Sequence, residues 1–346
     1  MANPRRRQLK GFLRITFGAL FGATFSTVFG FASAEPNVNV KPKPAPSTKA
    51  ISFAFIGDVP YNTLEESALN RIYQSFPKDL AFVLHVGDIK SGTEECSDAL
   101  LTRRFDLLQK SPLPLVLLPG DNEWVDCSRS LAGGYDPFDR LKLWRHLEGR
   151  DRRADQSLKI SRQPLWPELV QWRMPEASVS FVGLNIPGSY DAIGNNPPAR
   201  EHRRLRNAAN FDWLELAANK AEAEKDKFLF VAIHANTRLD TGRPEDSTST
   251  NASAANTGAN SSASSSQRPY EPFKLALSKL LGRYSGQVIV LYGDTHEFRV
   301  DYPWEASVGK RLMAVQCVGS PFNGSWLRVD VDPKQNFPKF TSQPVL

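Results

Sequence analysis

The sequence has no Gly-x-Ser-x-Gly nucleophile elbow and no phosphate-binding P-loop, so neither of those hydrolase classes is indicated. No unit repeats at a fixed period, which argues against a solenoid or propeller. Cysteine is scarce: only Cys96, Cys127 and Cys317 are present, and an odd number leaves at least one unpaired within the chain. A genuine charge excess is missing as well. The chain is formally +6, but residues 1–34 hold five basic residues and no acid. The remainder carries 38 basic against 37 acidic residues, a net +1. That balance gives no support for a nucleic-acid or membrane-surface partner. What remains is ordinary globular composition, 41% hydrophobic and 23% charged, over 346 residues, enough for one large domain or two ordinary ones.

The first 34 residues stand apart. Arg5, Arg6, Arg7, Lys10 and Arg14 make a basic start, an apolar run follows from Ile15 to Phe31, and Ala32-Ser33-Ala34 closes it. This is the three-part layout of a secretory signal peptide, with cleavage expected after Ala34. Arg6-Arg7-Gln8-Leu9 partly fits a twin-arginine signal, with Lys10 where a second apolar residue is wanted. The run is short and rich in Gly, Ser and Thr for a span, so no stable membrane span is expected after cleavage. The expected location is periplasmic or secreted. Disulfides persist in such compartments. Cys96 and Cys127 lie in polar loops that follow two strands of one motif set and are expected to pair. Cys317 falls in the apolar run Leu312–Val318 and is expected to be a buried thiol.

Residues 35–50, rich in Pro, Lys and small residues, read as a flexible linker. A single domain is expected over 51–346, with a disordered insertion at 240–268 that has almost nothing to bury. Within the domain, apolar runs end in Gly57-Asp58, Gly87-Asp88, Pro119-Gly120-Asp121, His234 and Gly293-Asp294. Runs of this length read as strands buried on both faces. Helical periods over Asn62–Phe76, Ser97–Lys110, Pro137–Leu147 and Arg200–Lys225 alternate with them, which predicts an α/β fold. Asn62 with Glu65 three residues on resembles a capping box. Leu327–Val331 reads as the final strand.

Ligands bind beyond the carboxyl ends of strands in such sheets. One strand ending in Asp is a turn former or a helix cap. Five ending in Asp or His would bring mutually repelling carboxylates together, and a cation is the simplest resolution. Two metals bridged by one carboxylate would suit phosphoester hydrolysis. The candidate ligands are Asp58, Asp88, Asp121, His234, Asp294 and His296.

On these residues the chain resembles the calcineurin-like metallophosphoesterases, the purple acid phosphatases included, as a divergent member. Their ordered blocks correspond here to Gly57-Asp58-Val59-Pro60, Gly87-Asp88-Ile89-Lys90-Ser91, Gly120-Asp121-Asn122-Glu123, Ile233-His234 and Gly293-Asp294-Thr295-His296. The resemblance spans about Ile51 to Phe298. It implies a four-layer fold, a two-sheet β-sandwich flanked by helices with the metals at one edge. It also implies roles: Asp58 and His296 on the first metal, Asp88 bridging, Asp121 and His234 on the second, and Asp294 where the family has a His. The implied reaction is hydrolysis of a phosphomonoester or phosphodiester by a metal-bound hydroxide. Its partner would be a small phosphorylated substrate; the sequence sets no oligomeric state.

The departures from the family pattern carry information. Pro60 stands where the first block has a ligand His, and Ser91 where the purple acid phosphatases place a Tyr. Tyr61 is next to Pro60, though a tyrosine after a strand more often packs than ligates. Four carboxylates with two imidazoles favour two ions drawn from Mn, Fe or Mg, with Zn not excluded. Asn122 replaces the family's transition-state histidine, so Asn122 and Asp88 are the catalytic candidates. Asn donates a hydrogen bond but delivers no proton. The alternative is a catalytically impaired exported protein that binds metal or a phosphorylated ligand on the same fold. Of the other polar residues, His85 reads as a satisfied structural histidine, His146 and His202 as surface residues, and Glu123 as a cap or a support for a ligand. Lys90 reads as a phosphate contact or a solvated lysine; Arg238 is a candidate to reach substrate.

Overall fold

The computed structural model describes residues 48–241, 243–244, 270–321 and 324–345. The signal peptide, the linker as far as residue 47, and positions 242 and 245–268 of the insertion lie outside the described residues.

The chain runs β1 (Ile51–Ile56), α1 (Thr63–Gln74), β2 (Leu80–His85), α2 (Asp98–Leu108), β3 (Leu115–Leu117), α3 (Pro137–Glu148) and α4 (Arg153–Leu158). It continues through β4 (Ser161–Arg162), β5 (Val170–Met174), β6 (Val179–Gly183), α5 (Pro197–Ala223), β7 (Phe228–Ala232), α6 (Glu271–Arg283) and β8 (Gln287–Tyr292). The last elements are β9 (Arg299–Asp301), α7 (Glu305–Val308), β10 (Leu312–Gln316), β11 (Ser325–Val331) and β12 (Lys339–Pro344). Two mixed sheets form, ordered β12-β11-β1-β2-β3 and β4-β5-β6-β7-β8-β10-β9.

Strand alternation sorts the apolar side chains into layers. Phe53, Phe82, Leu84, Phe181, Phe230 and Ile289 point between the sheets and form the central core. Phe53 stacks on Phe82 at 4.7 Å and meets Phe181 and Phe230 edge-on. The opposite faces bury Ala54, Ile56 and Val83 under α1, α2 and α3, and Leu229, Val231 and Val288 under α5 and α6. The result is the expected α/β architecture of four layers, helix, sheet, sheet, helix.

Strands β1, β2 and β3 run parallel, as do β6, β7, β8 and β10. Their carboxyl ends therefore leave each sheet on one side. That shared polarity is what delivers residues distant in sequence to one edge.

The structure departs from the sequence reading in identifiable places. β12 follows β11, so Leu327–Val331 is not the final strand. β12 pairs with β11 alone at the sheet edge and is largely exposed, so it carries no apolar run to betray it. β5 and β6 were also hidden, because Gln171, Arg173 and Ser180 interrupt their apolar pattern. Arg173 and Ser180 are satisfied by Asp226, whose carboxylate accepts from both at 2.7–3.0 Å.

His202 is not a surface residue: it packs among Trp124, Phe138 and Trp166. Burial, then Arg206, Arg145 and Arg203, push its imidazole down from 6.5 to about 4. The folded state therefore disfavours the imidazolium. The resulting stability is present above 6.5 and is lost as pH falls from there through about 4. His202→Phe should remove that share of acid destabilisation, read by comparing denaturant midpoints at neutral and mildly acid pH.

Candidate metal centre

Each candidate side chain sits on a sharp turn just past a strand. Asp58, Asp88, Asp294 and His296 all adopt left-handed backbone, with φ of 56°, 57°, 74° and 66°. Asp and His enter that region more readily than most residues, and strained backbone gathers at functional sites. The turns are locked to one another. Asp58 N–H donates to Gly87 O at 2.9 Å, and Asp294 N–H donates to Asp58 Oδ1 at 3.1 Å. Asp88 Oδ1 accepts from the backbone of Asp121 at 3.0 Å and of Asn122 at 2.9 Å.

The structure brings all six candidates to this edge. Ligand atoms of Asp58, Asp88 and His234 lie within 4.8 Å of one another, and so do those of Asp121, His234 and Asp294. His234 thus stands between two groups, where the sequence assignment gave it to one. His296 joins from the rim, its Nε2 3.4 Å from Asp58 Oδ1. Asp58, Asp88, Asp121 and His234 are buried; Asp294 and His296 are half-buried.

Several observations fit cations here. His234 Nδ1 lies 2.9 Å from Val86 O, which fixes the proton on Nδ1 and leaves the Nε2 lone pair facing the carboxylates. Nε2 is 2.8 Å from Asp121 Oδ1, a buried contact that is satisfied only when Nε2 carries a proton or a cation stands between the two atoms. Among the described residues no Lys or Arg pairs with Asp58, Asp88, Asp121 or Asp294. Burial raises the Asp88 carboxyl well above its usual range; His234 opposes that, and Asp121, Glu123 and Asp58 add to it. Burial likewise raises Asp294 to about 6. Burial would lower the His234 imidazole, but Asp88 and Asp121 outweigh it and hold it well above its ordinary value. Without a cation this cluster holds protons, and binding one would release them.

The residues around the cluster explain its placement. His85 is buried, its Nε2 2.8 Å from Val59 O, while Gly87 N–H donates to its Nδ1 at 3.1 Å; it ties the first two turns together. Lys90 is neither a phosphate contact nor solvated. Its ammonium is buried and donates to Ser91 O and Asn122 O at 2.6 and 2.9 Å, bracing the loop that carries Asn122. Glu123 Oε1 accepts from Gly120 N–H at 2.6 Å, a support for the third turn. Cys96 and Cys127 form a disulfide, both sulfurs 3.4 Å from Asn122 O, and Cys317 is a buried free thiol. Arg238 is exposed and lines the adjoining cleft, where it pairs with Asp240.

Two further residues reach the cluster: Tyr61, which the sequence raised beside Pro60 but read as packing, and Ser189, which it did not single out. The hydroxyl of Tyr61 points into the site rather than packing, 2.8 Å from Asp88 Oδ2. Its only sequence signal was adjacency to Pro60. Ser189, from the loop 188–198, donates to Asp121 Oδ2, and its Oγ lies 3.0 Å from Asp126 Oδ2. Arg129 donates to Ser189 Oγ at 3.0 Å and pairs with Asp126, joining the loops 124–135 and 188–198 over the cluster.

Gly188 permits that closure. A Cβ there would stand 2.6 Å from Asp294 Oδ1 and 2.7 Å from Asp121 Oδ1. Gly188→Ala should therefore displace those carboxylates and weaken metal binding about 10–100-fold, measured by competition with a chelator. An unchanged affinity would show that the loop yields instead.

Beyond Asp294 opens a cleft of about 1060 Å³, with Tyr190, Arg238, Arg299, Tyr302 and Trp304 in its walls. It is a mixed aromatic and charged surface, large enough for an organic group of ligand size. A smaller groove of about 290 Å³ between α5 and α6 shares no residue with the cluster.

A scan against protein-family models finds no match to this chain, and a search of curated proteins finds none. Among solved structures, the NAD nucleotidase of Haemophilus influenzae is similar at 10% identity and a TM-score of 0.41, over 86% of this chain and 50% of that one. The 5'-nucleotidase of Candida albicans is similar at 10% identity and a TM-score of 0.36, over 85% of this chain and 50% of that one. The chain thus spans about half the length of these neighbours. Likeness at this level carries no inference about activity.

Proposed function

We propose that this protein is an exported, metal-dependent phosphoesterase of the calcineurin-like type, acting on a phosphomonoester or phosphodiester. The observation that carries the reading is the cluster itself. Four carboxylates and two imidazoles meet at strand ends, with His234 Nε2 and Asp121 Oδ1 buried face to face and, among the described residues, no Lys or Arg paired with the carboxylates. Asp58, Asp88 and His296 would hold one ion, Asp121, His234 and Asp294 the other, with Asp88 between them. The hard oxygen-rich set suits Mn, Fe or Mg, with Zn also possible. Bound ions would supply Lewis-acid polarisation of a phosphoryl oxygen and lower the pKa of water toward neutrality.

The chain's own residues supply the rest. Asn122 Nδ2 donates to Asp88 Oδ2 at 2.5 Å, which orients its amide toward the cluster, where it would also donate to a phosphoryl oxygen. Arg129 brings a half-exposed guanidinium to the mouth of the site. No group at Asn122 delivers a proton to the departing oxygen, and loss of a general acid typically costs about 10²–10⁴-fold. Esters with acidic leaving groups, aryl esters above all, should therefore be the best substrates, and the cleft beyond Asp294 has room for them. The disulfide suits an oxidising compartment outside the cytoplasm. Among the described residues no helix is long and apolar enough to cross a membrane.

The test is to express residues 35–346, count bound metal per chain, and screen aryl mono- and diesters with Mn, Fe, Mg and Zn. Turnover that follows metal content supports the reading. Absence of bound metal defeats it. Metal without turnover favours the binding-protein alternative, which the substitution at Asn122 supports.

A further inference from the structure

We infer that Tyr190 sets the substrate class of the proposed site: it is the platform on which a planar, uncharged aromatic group of the phosphoester stacks, in the cleft beyond Asp294. The inference rests on the phosphoesterase reading above. It is separate from the leaving-group argument, which concerns the chemical step and not the fit. Cluster and cleft are continuous. Asp294 is a candidate ligand and also lines the cleft, together with Ser189 and Tyr190. An ester with its phosphoryl group at the cluster has this cleft open to its organic group.

The backbone sets Tyr190 apart from an incidental surface tyrosine. Ser189, Tyr190 and Asp191 are three consecutive residues in the left-handed region, with φ of 51°, 54° and 56°. A bulky side chain there is an outlier, and such strain persists only where the surroundings hold it. Here both flanks are fixed. On one side Ser189 Oγ donates to Asp121 Oδ2 and accepts from Arg129 at 3.0 Å. On the other, the buried Asp191 carboxylate pairs with the buried Arg206 and, at 3.2 Å, with Arg203. The Arg206 guanidinium lies 5.3 Å from the centre of the Trp124 ring, and Arg203 also donates to Asp191 O at 2.9 Å. The anchors thus lie in the neighbours, while Tyr190 itself is left 55% exposed. Its ring is presented to the cleft at a cost in strain that its own burial does not offset.

The surroundings select a neutral planar group. Tyr270 flanks Tyr190, with ring centroids 6.5 Å apart, and is itself fixed: it is buried and its hydroxyl donates to Pro187 O at 3.0 Å. Tyr302 and Trp304 add aromatic surface to the same walls. The charges in those walls oppose one another. Arg238 pairs with Asp240 at 3.2 Å and Arg299 with Asp301 at 3.1 Å. The arginines disfavour an organic cation and the carboxylates disfavour a second anion. An uncharged ring escapes both penalties and gains from stacking on an exposed tyrosine.

The experiment is isothermal titration calorimetry of the Mn²⁺-loaded mature protein with methylphosphonate, cyclohexylphosphonate and phenylphosphonate, whose P–C bond leaves no ester to hydrolyse. Wild type should bind phenylphosphonate most tightly. Tyr190→Leu keeps an apolar side chain without a ring and should weaken phenylphosphonate about 3–10-fold, while Tyr190→Phe should retain the wild-type affinity. Methylphosphonate has no ring to stack and should bind the three proteins alike, with equal manganese content showing the cluster intact. Cyclohexylphosphonate bound as tightly as phenylphosphonate, or phenylphosphonate affinity unchanged in Tyr190→Leu, would overturn the inference and leave the phosphoesterase reading standing. A manganese-free protein that binds no phosphonate would overturn both.

Discussion

Asp88→Asn is expected to lose both bound ions and at least ~10³-fold in kcat/KM toward an aryl phosphoester, the scale on which a preorganised electrostatic group acts. In the proposed assignment Asp88 lies between the two ions, and its side chain touches residues of both groups. Its Oδ1 faces Asp121, Asn122 and His234, and its Oδ2 faces Tyr61 and Asn122. Asparagine keeps the shape and tolerates the left-handed backbone, φ 57°, at this position. It removes the charge that would hold two cations together. Fold and chemistry should therefore separate cleanly in this variant.

The same substitution should act with opposite sign on the metal-free protein. Burial raises the Asp88 carboxyl well above its usual range, against the pull of His234 and with Asp121, Glu123 and Asp58 adding to it. A raised acid contributes stability that is full below its unfolded value and is lost as pH rises through the raised one. Near neutral pH the metal-free wild type thus retains a penalty that asparagine lacks. Asp88→Asn should unfold at a higher denaturant concentration than metal-free wild type, and at a lower one than the metal-loaded protein. A variant less stable than metal-free wild type would argue that Asp88 is a packing residue first.

Reduction of the Cys96–Cys127 bond is the second large effect. The bridge closes a loop of 31 residues. Releasing it frees chain entropy in the unfolded state worth about 3–4 kcal/mol. The loss has a functional side as well. Both sulfurs rest against Asn122 O, beside the Lys90 ammonium that donates to the same carbonyl. The bridge also clamps the segment from Cys96 to the loop 124–135, where Cys96 N–H donates to Ala132 O at 2.9 Å. The Cys96→Ala, Cys127→Ala protein should show a lower denaturant midpoint by the corresponding amount and weaker metal binding. Equal midpoints for oxidised and bridge-free protein would contradict the account.

The parts of this molecule legible in the sequence were those where one force dominates. β1, β2, β7 and β8 are buried on both faces, so their apolar runs announce them. The capping signal at Asn62 was readable because its residues are neighbours in the chain, and Asn62 caps the start of α1, while the Glu65 carboxylate accepts from Tyr61 N–H rather than from Asn62 N–H. The bond between Cys96 and Cys127 was readable because their loops follow neighbouring strands. What stayed hidden depends on partners far away in sequence. Lys90 looked like a solvent or phosphate residue until Asn122 O supplied its buried acceptor. His202 looked exposed because its aromatic neighbours come from positions 124, 138 and 166. Tyr61 is the sharpest case. A tyrosine after a strand ordinarily packs, and only the turn that Glu65 pins sends its hydroxyl into the cluster.

The central claim is that this edge of the sandwich is a two-metal centre. Anomalous X-ray diffraction from crystals of the mature protein grown with Mn²⁺ tests it most directly. Two peaks are expected about 3.5–4 Å apart. One should lie among Asp58, Asp88 and His296, the other among Asp88, Asp121, His234 and Asp294. A map with no peak at these residues, at a manganese concentration well above that of the protein, would contradict the claim.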